Sequence, residues 1–262
     1  MDCEQFAESR AQVVGQETIR NGIGTLGEKT LHAVLKHYFE PDSASHEVKI
    51  GSFVADIVSE SGIIEIQTQS LDRLRKKLAD FLACADVTVV YPVAQVKWLC
   101  WIDPETGEVT RKRKSPKRGS VYDAFRELYK IKDFLMHPGF RLCIPLLEIT
   151  EYRYLNGWSA DRKKGSSRCD RIPEALLGEV WFTSLYDFEQ MVPEALPAVF
   201  TTRDYAAAAK LRLRAAQTAV HVLHTIGTLE RVGKDGRLHL YQRAFEPKGD
   251  FRPAEKCPCR SG

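Results

Sequence analysis

Leu31, Val34, Leu35 and Tyr38 recur at i, i+3, i+4 and i+7, a single apolar stripe that predicts a helix from about Thr25 to Phe39. Its start carries Thr25-x-x-Glu28, the spacing of a capping box. Three short β-rich runs come next: Glu47 to Ile50, Phe53 to Val58 and Ile63 to Gln67. The last two are joined by Ser59-Glu60-Ser61-Gly62, which reads as a hairpin turn. A second helix is predicted from about Ser70 to Cys84. The apolar run Val87 to Val93 reads as a buried strand, and Lys97 to Ile102 with Glu108 to Arg113 flank the turn Asp103-Pro104-Glu105-Thr106-Gly107 as another hairpin. Ser120-x-x-Asp123 opens a helix to about Tyr129, and Phe140 to Tyr152 reads as one more strand. This order predicts a mixed α/β layered domain ending near residue 155.

Residues 156 to 175 are polar and rich in Gly, Ser and charge, so the connection between domains is expected there. Beyond it, Leu176 to Leu196 contains a helix beginning near Ser184, and Thr201-x-x-Asp204 caps another over Tyr205 to Ala209. After a break near Lys210, a helix from about Arg212 to Thr225 places Leu213, Ala216, Val220 and Leu223 on one face and ends at Gly227. Leu229 to Val232, the turn Gly233-Lys234-Asp235-Gly236, and Arg237 to Tyr241 then form a hairpin. The expected division is a first domain over 1–155, a linker over 156–180, a small domain over 181–245 and a loose tail over 246–262.

Composition narrows the class. With 262 residues, 44% hydrophobic and 28% charged, the chain has the balance of a globular protein with a buried core. The longest apolar stretch, Val87 to Ala94, is broken by Thr88 and Pro92 and falls far short of the ~20 residues a membrane helix needs. The opening Met1-Asp2-Cys3-Glu4 shows no basic region followed by an apolar one, so a cytoplasmic protein without a membrane partner is the expectation. The net charge of +3 is unevenly spread: residues 203 to 262 hold 12 Lys+Arg against 6 Asp+Glu, and the rest holds 26 against 29. A basic end on a near-neutral body suggests a polyanion partner for that end. The seven cysteines are odd in number, and Cys84, Cys100 and Cys143 sit singly in apolar surroundings, which suits small buried hydrophobes rather than a disulfide framework.

The segment with candidate chemistry is Phe53-Val-Ala-Asp-Ile-Val-Ser-Glu-Ser-Gly-Ile-Ile-Glu-Ile-Gln67. If Glu60 and Ser61 form a two-residue loop, Asp56 lies across from Glu65 and Val54 from Gln67. Opposed carboxylates about 5 Å apart destabilise a strand pair, which calls for a proton, a cation or a shifted register. Alternation puts Glu65 and Gln67 on one face and Ile64 and Ile66 on the other. Hard carboxylate oxygens completed by water and phosphate are what Mg²⁺ selects. Plainer readings stand beside this one. Glu28 is accounted for as the third residue of its capping box, Asp56 costs little on an edge strand facing water, and Glu65-x-Gln67 suits the polar face of an amphipathic strand.

The order of a helix with Glu28, a strand with Asp56, a hairpin to Glu65-Ile66-Gln67 and a further helix resembles the core of the PD-(D/E)xK nuclease superfamily, the restriction-endonuclease-like fold. The resemblance covers about residues 22 to 95. Ala55 stands at the proline position and Gln67 at the lysine position of that motif. The resemblance implies Mg²⁺ (or Mn²⁺) on Asp56 and Glu65 with the Ile66 carbonyl, Glu28 as an outer or second-metal contact, and phosphodiester hydrolysis of DNA. Gln67 can orient a water but brings no charge, so a second metal or a cation from the next helix, such as Arg73 or Lys76, must replace it.

Arg111-Lys-Arg-Lys-Ser-Pro-Lys-Arg118 carries six cations, Arg111, Lys112, Arg113, Lys114, Lys117 and Arg118, in eight residues. Such a run is either a solvated loop or a grip on phosphates that gains affinity by releasing counterions. Trp98, Trp101 and Tyr122 flank it. The unit over about 181–245 resembles a winged helix-turn-helix, which implies Arg212, Arg214, Thr218 and His221 on the outer arc of its second motif helix and Lys234 and Arg237 on the wing. Winged helices also dock proteins, and His221 is as readily a solvated polar residue. Cys257-Pro-Cys259-x-Ser-Gly looks like the opening half of the SEC-C zinc motif, but two thiolates do not complete a tetrahedral site.

The sequence therefore predicts an α/β protein: a restriction-endonuclease-like mixed sheet flanked by helices, followed by a small winged-helix domain. Metal-dependent DNA hydrolysis is the expected activity, and a non-catalytic DNA-binding regulator or a protein-docking module are the alternatives. DNA is the expected partner. Oligomeric state stays open, a homodimer being the arrangement in which double-strand cutters pair two sites.

Overall fold

The computed structural model describes residues 1–21, 30–157 and 167–244. It has a mixed α/β architecture, with a large sheet flanked by helices and a smaller C-terminal region of helices and sheet. The chain divides into two compact units, each made of several segments: Met1–Ser59, Val90–Ser120 and Ile144–Val180 form the first, and Glu60–Val89, Val121–Cys143 and Trp181–Gly262 the second. No described helix is long and apolar enough to cross a membrane.

The first unit opens with α1 (Cys3–Asn21), whose first turn is capped by Asp2 Oδ1 accepting from the Glu4 and Gln5 amides at 3.1 and 2.9 Å. The Phe6 ring meets Tyr38 of α2 (Thr30–Phe39) edge to face, with centroids 5.4 Å apart. The predicted stripe holds on α2, where Leu31, Val34 and Leu35 are fully buried. Each such side chain contributes about 1.5–3 kcal/mol over an exposed one. Glu28 and its capping box lie outside the described residues.

β1 (His46–Ile50) and β2 (Phe53–Ser59) pair antiparallel, His46 with Ile57 and Ile50 with Phe53. Gly51 takes the left-handed conformation their two-residue turn requires, at φ 58°. β5 (Val93–Ile102) starts earlier than the pattern suggested. It pairs antiparallel with the short β6 (Arg113–Lys114) and parallel with β7 (Phe140–Tyr154).

Residues 168–180 correct the expectation of a connecting segment, because β8 (Arg168–Phe182) is a long strand paired with β7. Its loop-like composition includes two acids, Asp170 and Glu174, to which the fold brings partners. Thr30 Oγ1 donates to Asp170 at 2.5 Å, and Arg10 of α1 donates to Glu174 at 2.7 Å and to the Pro173 carbonyl at 2.9 Å. A polar residue with a built-in partner can be buried at little net cost.

In the second unit, β3 (Gly62–Ile66) lies beside β4 (Val87–Val90), and the Ile63 amide donates to the Asp86 carbonyl at 2.9 Å. Gly62 is required there: its φ is 120°, and a Cβ would fall 2.5 Å from the Asp86 oxygen. A 3-10 turn at Leu71–Leu74 leads into α3 (Arg75–Phe81). The run Val87 to Val93 is not one strand, since the chain leaves strand geometry at Tyr91 and Pro92. Around α4 (Phe125–Leu128), Glu127 accepts from the Leu71 amide at 3.0 Å and from Lys130.

The C-terminal segment begins with a 3-10 helix at Leu185–Met191, capped by Ser184 and Asp187, at the place where a helix is expected from the sequence. β9 (Phe200–Thr201) runs into α5 (Thr202–Ala208), whose Thr201/Asp204 capping box is as read from the sequence. Lys210, at φ 54°, breaks the chain before α6 (Leu213–Thr225). α6 buries Ala216, Ala219, Val220, Val222 and Leu223. Leu213, expected on that face, is 44% exposed because it stands in the first turn before the stripe engages the core.

β10 (Leu229–Asp235) and β11 (Leu238–Arg243) close the segment, and the sheet order is β10-β11-β9. Here the expected turn shifts. A register irregularity between Arg231 and Gly233 lets β10 continue through Lys234 and Asp235, and the reversal falls at Gly236-Arg237, with Gly236 at φ 55°.

Candidate functional site

Glu65 stands on β3, whose neighbours Ile63, Ile64 and Ile66 are all buried, so both faces of this strand are covered rather than one. The carboxylate itself is 1% exposed. Lys77, in the first turn of α3, donates from Nζ to both of its oxygens, at 3.1 and 2.9 Å, and its side chain is 23% exposed. A buried carboxylate is stable only when a charge or several donors replace its lost water, and the ammonium of Lys77 does this. The sequence pointed to Arg73 or Lys76 for that charge. The lysine that reaches is the next one along, Lys77. Gln67 lies just past the strand, and its side-chain oxygen accepts from the Gln69 amide at 3.2 Å.

Asp56 stands on β2 in the first unit. Its side chain is 19% exposed, and an oxygen lies 3.2 Å from His32 Nε2 of α2. One turn further along α2, Lys36 reaches Glu47 of β1 at 2.7 Å. The hydrogen bond and charge of Lys36 hold the Glu47 carboxyl below its ordinary range. His32 and Lys36, four residues apart on the polar flank of α2, were not singled out from the sequence. The signal was there, since both fall between the stripe positions Leu31, Val34, Leu35 and Tyr38.

Among the described residues no group of three or more His, Cys, Asp or Glu is gathered as a metal cage. The donors fit Mg²⁺ or Mn²⁺ by kind. Asp56 and Glu65 offer hard carboxylate oxygens, and Mg²⁺ keeps several waters and needs only one or two protein carboxylates.

The six cations of 111–118 are all exposed. They are not simply a loop, because Arg113 and Lys114 form β6. Lys112 Nζ lies 2.8 Å from Glu174 and 5.3 Å from the centre of the Trp98 ring, and Lys114 Nζ lies 5.4 Å from that centre. Lys117 donates its amide to Ser115 Oγ at 3.3 Å, and Arg118 follows it.

On α6, Arg212 is the N-terminal cap residue and Arg214 is exposed. Thr218 donates to the Arg214 carbonyl at 3.1 Å. The His221 ring lies 5.3 Å from that of Tyr129, so one flank of this helix meets the turn after α4. Lys234 and Arg237 are exposed on the β10–β11 hairpin, the first within β10 opposite His239 and the second in the turn.

A family model described as a domain of unknown function, DUF8091, matches residues 29–183. An uncharacterized protein of Treponema pallidum (strain Nichols) is 33% identical over 243 residues, covering 88% of this chain and 90% of that protein. No solved structure matches the chain.

Proposed function

We propose that the chain, which belongs to the DUF8091 family, is a nucleic-acid phosphodiester hydrolase of restriction-endonuclease-like design directed to DNA by a winged helix-turn-helix. The observation that carries the hydrolytic reading is the buried carboxylate Glu65 held at both oxygens by Lys77. An acid on a strand and a lysine close beside it are the pair this chemistry needs. The positive charge that Gln67 cannot bring then comes from α3.

In this reading Glu65 would hold Mg²⁺ or Mn²⁺, and the bound ion would polarise the phosphoryl group and lower the pKa of a water. Lys77 hydrogen-bonds both oxygens of Glu65 and would place a positive charge beside the developing negative charge of the phosphorane. Gln67 orients by hydrogen bonds alone. The winged-helix reading is supported by the order β9, α5, α6, β10, β11 with β11 central in its sheet, and by the exposed Arg212 and Arg214 on α6 and Arg237 at the hairpin turn.

The test is cleavage of supercoiled plasmid and of single-stranded oligonucleotides in Mg²⁺ and in Mn²⁺. Wild type is expected to cut, and Glu65→Ala and Lys77→Ala to lose on the order of a hundredfold or more of the rate. One observation favours a second reading, a non-catalytic DNA-binding regulator: Asp56 and Glu65 each already have a basic partner, His32 and Lys77. DNA binding by a wild-type protein that cuts nothing in either metal establishes that reading and removes the first.

A further inference from the structure

Glu151 of β7 is a carboxylate with 0% exposure that the chemistry above does not use. Three cations close on it: Arg153, with Nε at 2.6 Å; Lys97, with Nζ at 3.3 Å; and Arg168, with Nε at 3.7 Å. Burial pushes the Glu151 carboxyl up, and the three cations together more than reverse this, leaving it below the ordinary glutamate value. One buried anion thus anchors three long cationic side chains. Side chains already held in place lose less freedom when they grip a ligand.

The strand register extends the cluster. Neighbouring residues on paired strands point to the same face of a sheet. Leu99 of β5 pairs with both Glu151 of β7 and Arg113 of β6, Trp101 pairs with Arg153, and Lys97 with Ile149. One face of β6, β5 and β7 therefore carries Arg113, Lys97 and Arg153, with Arg168 added from β8, and half-buried Trp101 stands among them. Among the described residues, four cations accompany one acid on this face. The heads stay within reach of solvent: Lys97, Arg153 and Arg168 have side chains 33%, 29% and 39% exposed, and Arg113 is exposed. On the other face, Cys100 and Ile102 of β5 are buried.

We propose that this face of β6, β5, β7 and β8 binds single-stranded nucleic acid, with Arg113, Lys97, Arg153 and Arg168 on backbone phosphates and Trp101 against an unpaired base. A sheet surface meets a flexible strand over several residues, and an indole or guanidinium plane can stack only on bases that are not enclosed in a duplex. The inference rests on the nucleic-acid part of the function proposed above and needs no reaction at Glu65.

The test is fluorescence anisotropy of the full chain with fluorescein-labelled oligothymidine of about 20 nucleotides, longer than one such site, in EDTA, where metal-dependent cleavage is off. Wild type is expected to bind. Lys97→Ala with Arg113→Ala should weaken binding by about tenfold and lower the slope of log affinity against log salt by about 1.4, which is ~0.7 for each phosphate no longer neutralised. Wild-type affinity and slope in a double variant with unchanged melting temperature overturn the proposal. If the double variant folds poorly, Arg113→Glu at its exposed position carries the test alone, and unchanged affinity is again fatal. Inorganic polyphosphate competing as well as oligothymidine, phosphate for phosphate, overturns the nucleic-acid assignment, and a loss of duplex affinity in the double variant as large as its loss of oligothymidine affinity overturns the single-strand assignment. Failure of plasmid cleavage leaves all of these readouts intact.

Discussion

Replacing Lys77 with methionine keeps the apolar stem of the side chain and takes the ammonium away from both oxygens of Glu65. What remains is a carboxylate with 1% exposure and no lysine at 2.9 and 3.1 Å. Removing one member of a buried ion pair costs about 3–5 kcal/mol, chiefly through the uncompensated charge left behind. Lys77 is itself 23% exposed, so the lower end applies and the loss should be about 3 kcal/mol. For a protein of this size that is a fall in melting temperature of about 6–12 °C.

Glu65→Gln in the Lys77→Met background removes the stranded charge, and the double variant should recover about half or more of the loss. The assay is chemical denaturation of wild type, both single variants and the double variant, read as a double-mutant cycle. A loss below about 0.5 kcal/mol, the size typical of a surface substitution, refutes the reasoning. It would mean that Glu65 draws its compensation from elsewhere.

Glu151 gives a pH dependence of defined sign. Its folded-state pKa lies below the unfolded value of about 4.3, so the unfolded chain binds more protons through that range. The stability it confers is present above the unfolded value and is lost as pH falls through the folded one. Glu151→Gln should flatten the acid limb of the stability curve while leaving its slope above pH ~6 unchanged, and an acid limb identical to wild type would assign that limb to other groups. On α6, Arg212→Ala with Arg214→Ala should weaken duplex DNA binding and reduce its salt slope by about 1.8, or ~0.9 for each phosphate these arginines neutralise. A slope that does not move places the duplex interface elsewhere.

The elements easiest to read from the sequence were those whose local signals and tertiary environment agree. α2 and α6 carry apolar stripes that end in the core, and the Thr201/Asp204 box forms both of its hydrogen bonds. The elements that escaped are those whose logic lies in distant partners. Among the described side chains of α1, Phe6 and Val13 are its only buried hydrophobics, too sparse a pattern to stand out over 19 residues. β8 reads as a loop because Asp170 and Glu174 look misplaced until Thr30 and Arg10 are seen against them. The hairpin after α6 was misplaced because Gly233 invites a turn, whereas the chain uses it within a bulged strand. At the candidate site the residue types and their order were legible. The partner of Glu65 was not, since a single step along α3 decides between Lys76 and Lys77.

The segments of the two units alternate along the chain, with changes of unit after Ser59, Val89, Ser120, Cys143 and Val180. The C-terminal helices therefore share their unit with α3 and α4, which are encoded far upstream, and Tyr129 lies against His221 of α6. A fragment beginning at Trp181 has lost those upstream pieces, and a fragment ending at Val180 keeps them while missing the helices they support. Neither truncation yields a freely transferable cassette. Genetic dissection of this protein is better done with point substitutions than with deletions, because every cut from Ser59 to Val180 divides at least one of the two units.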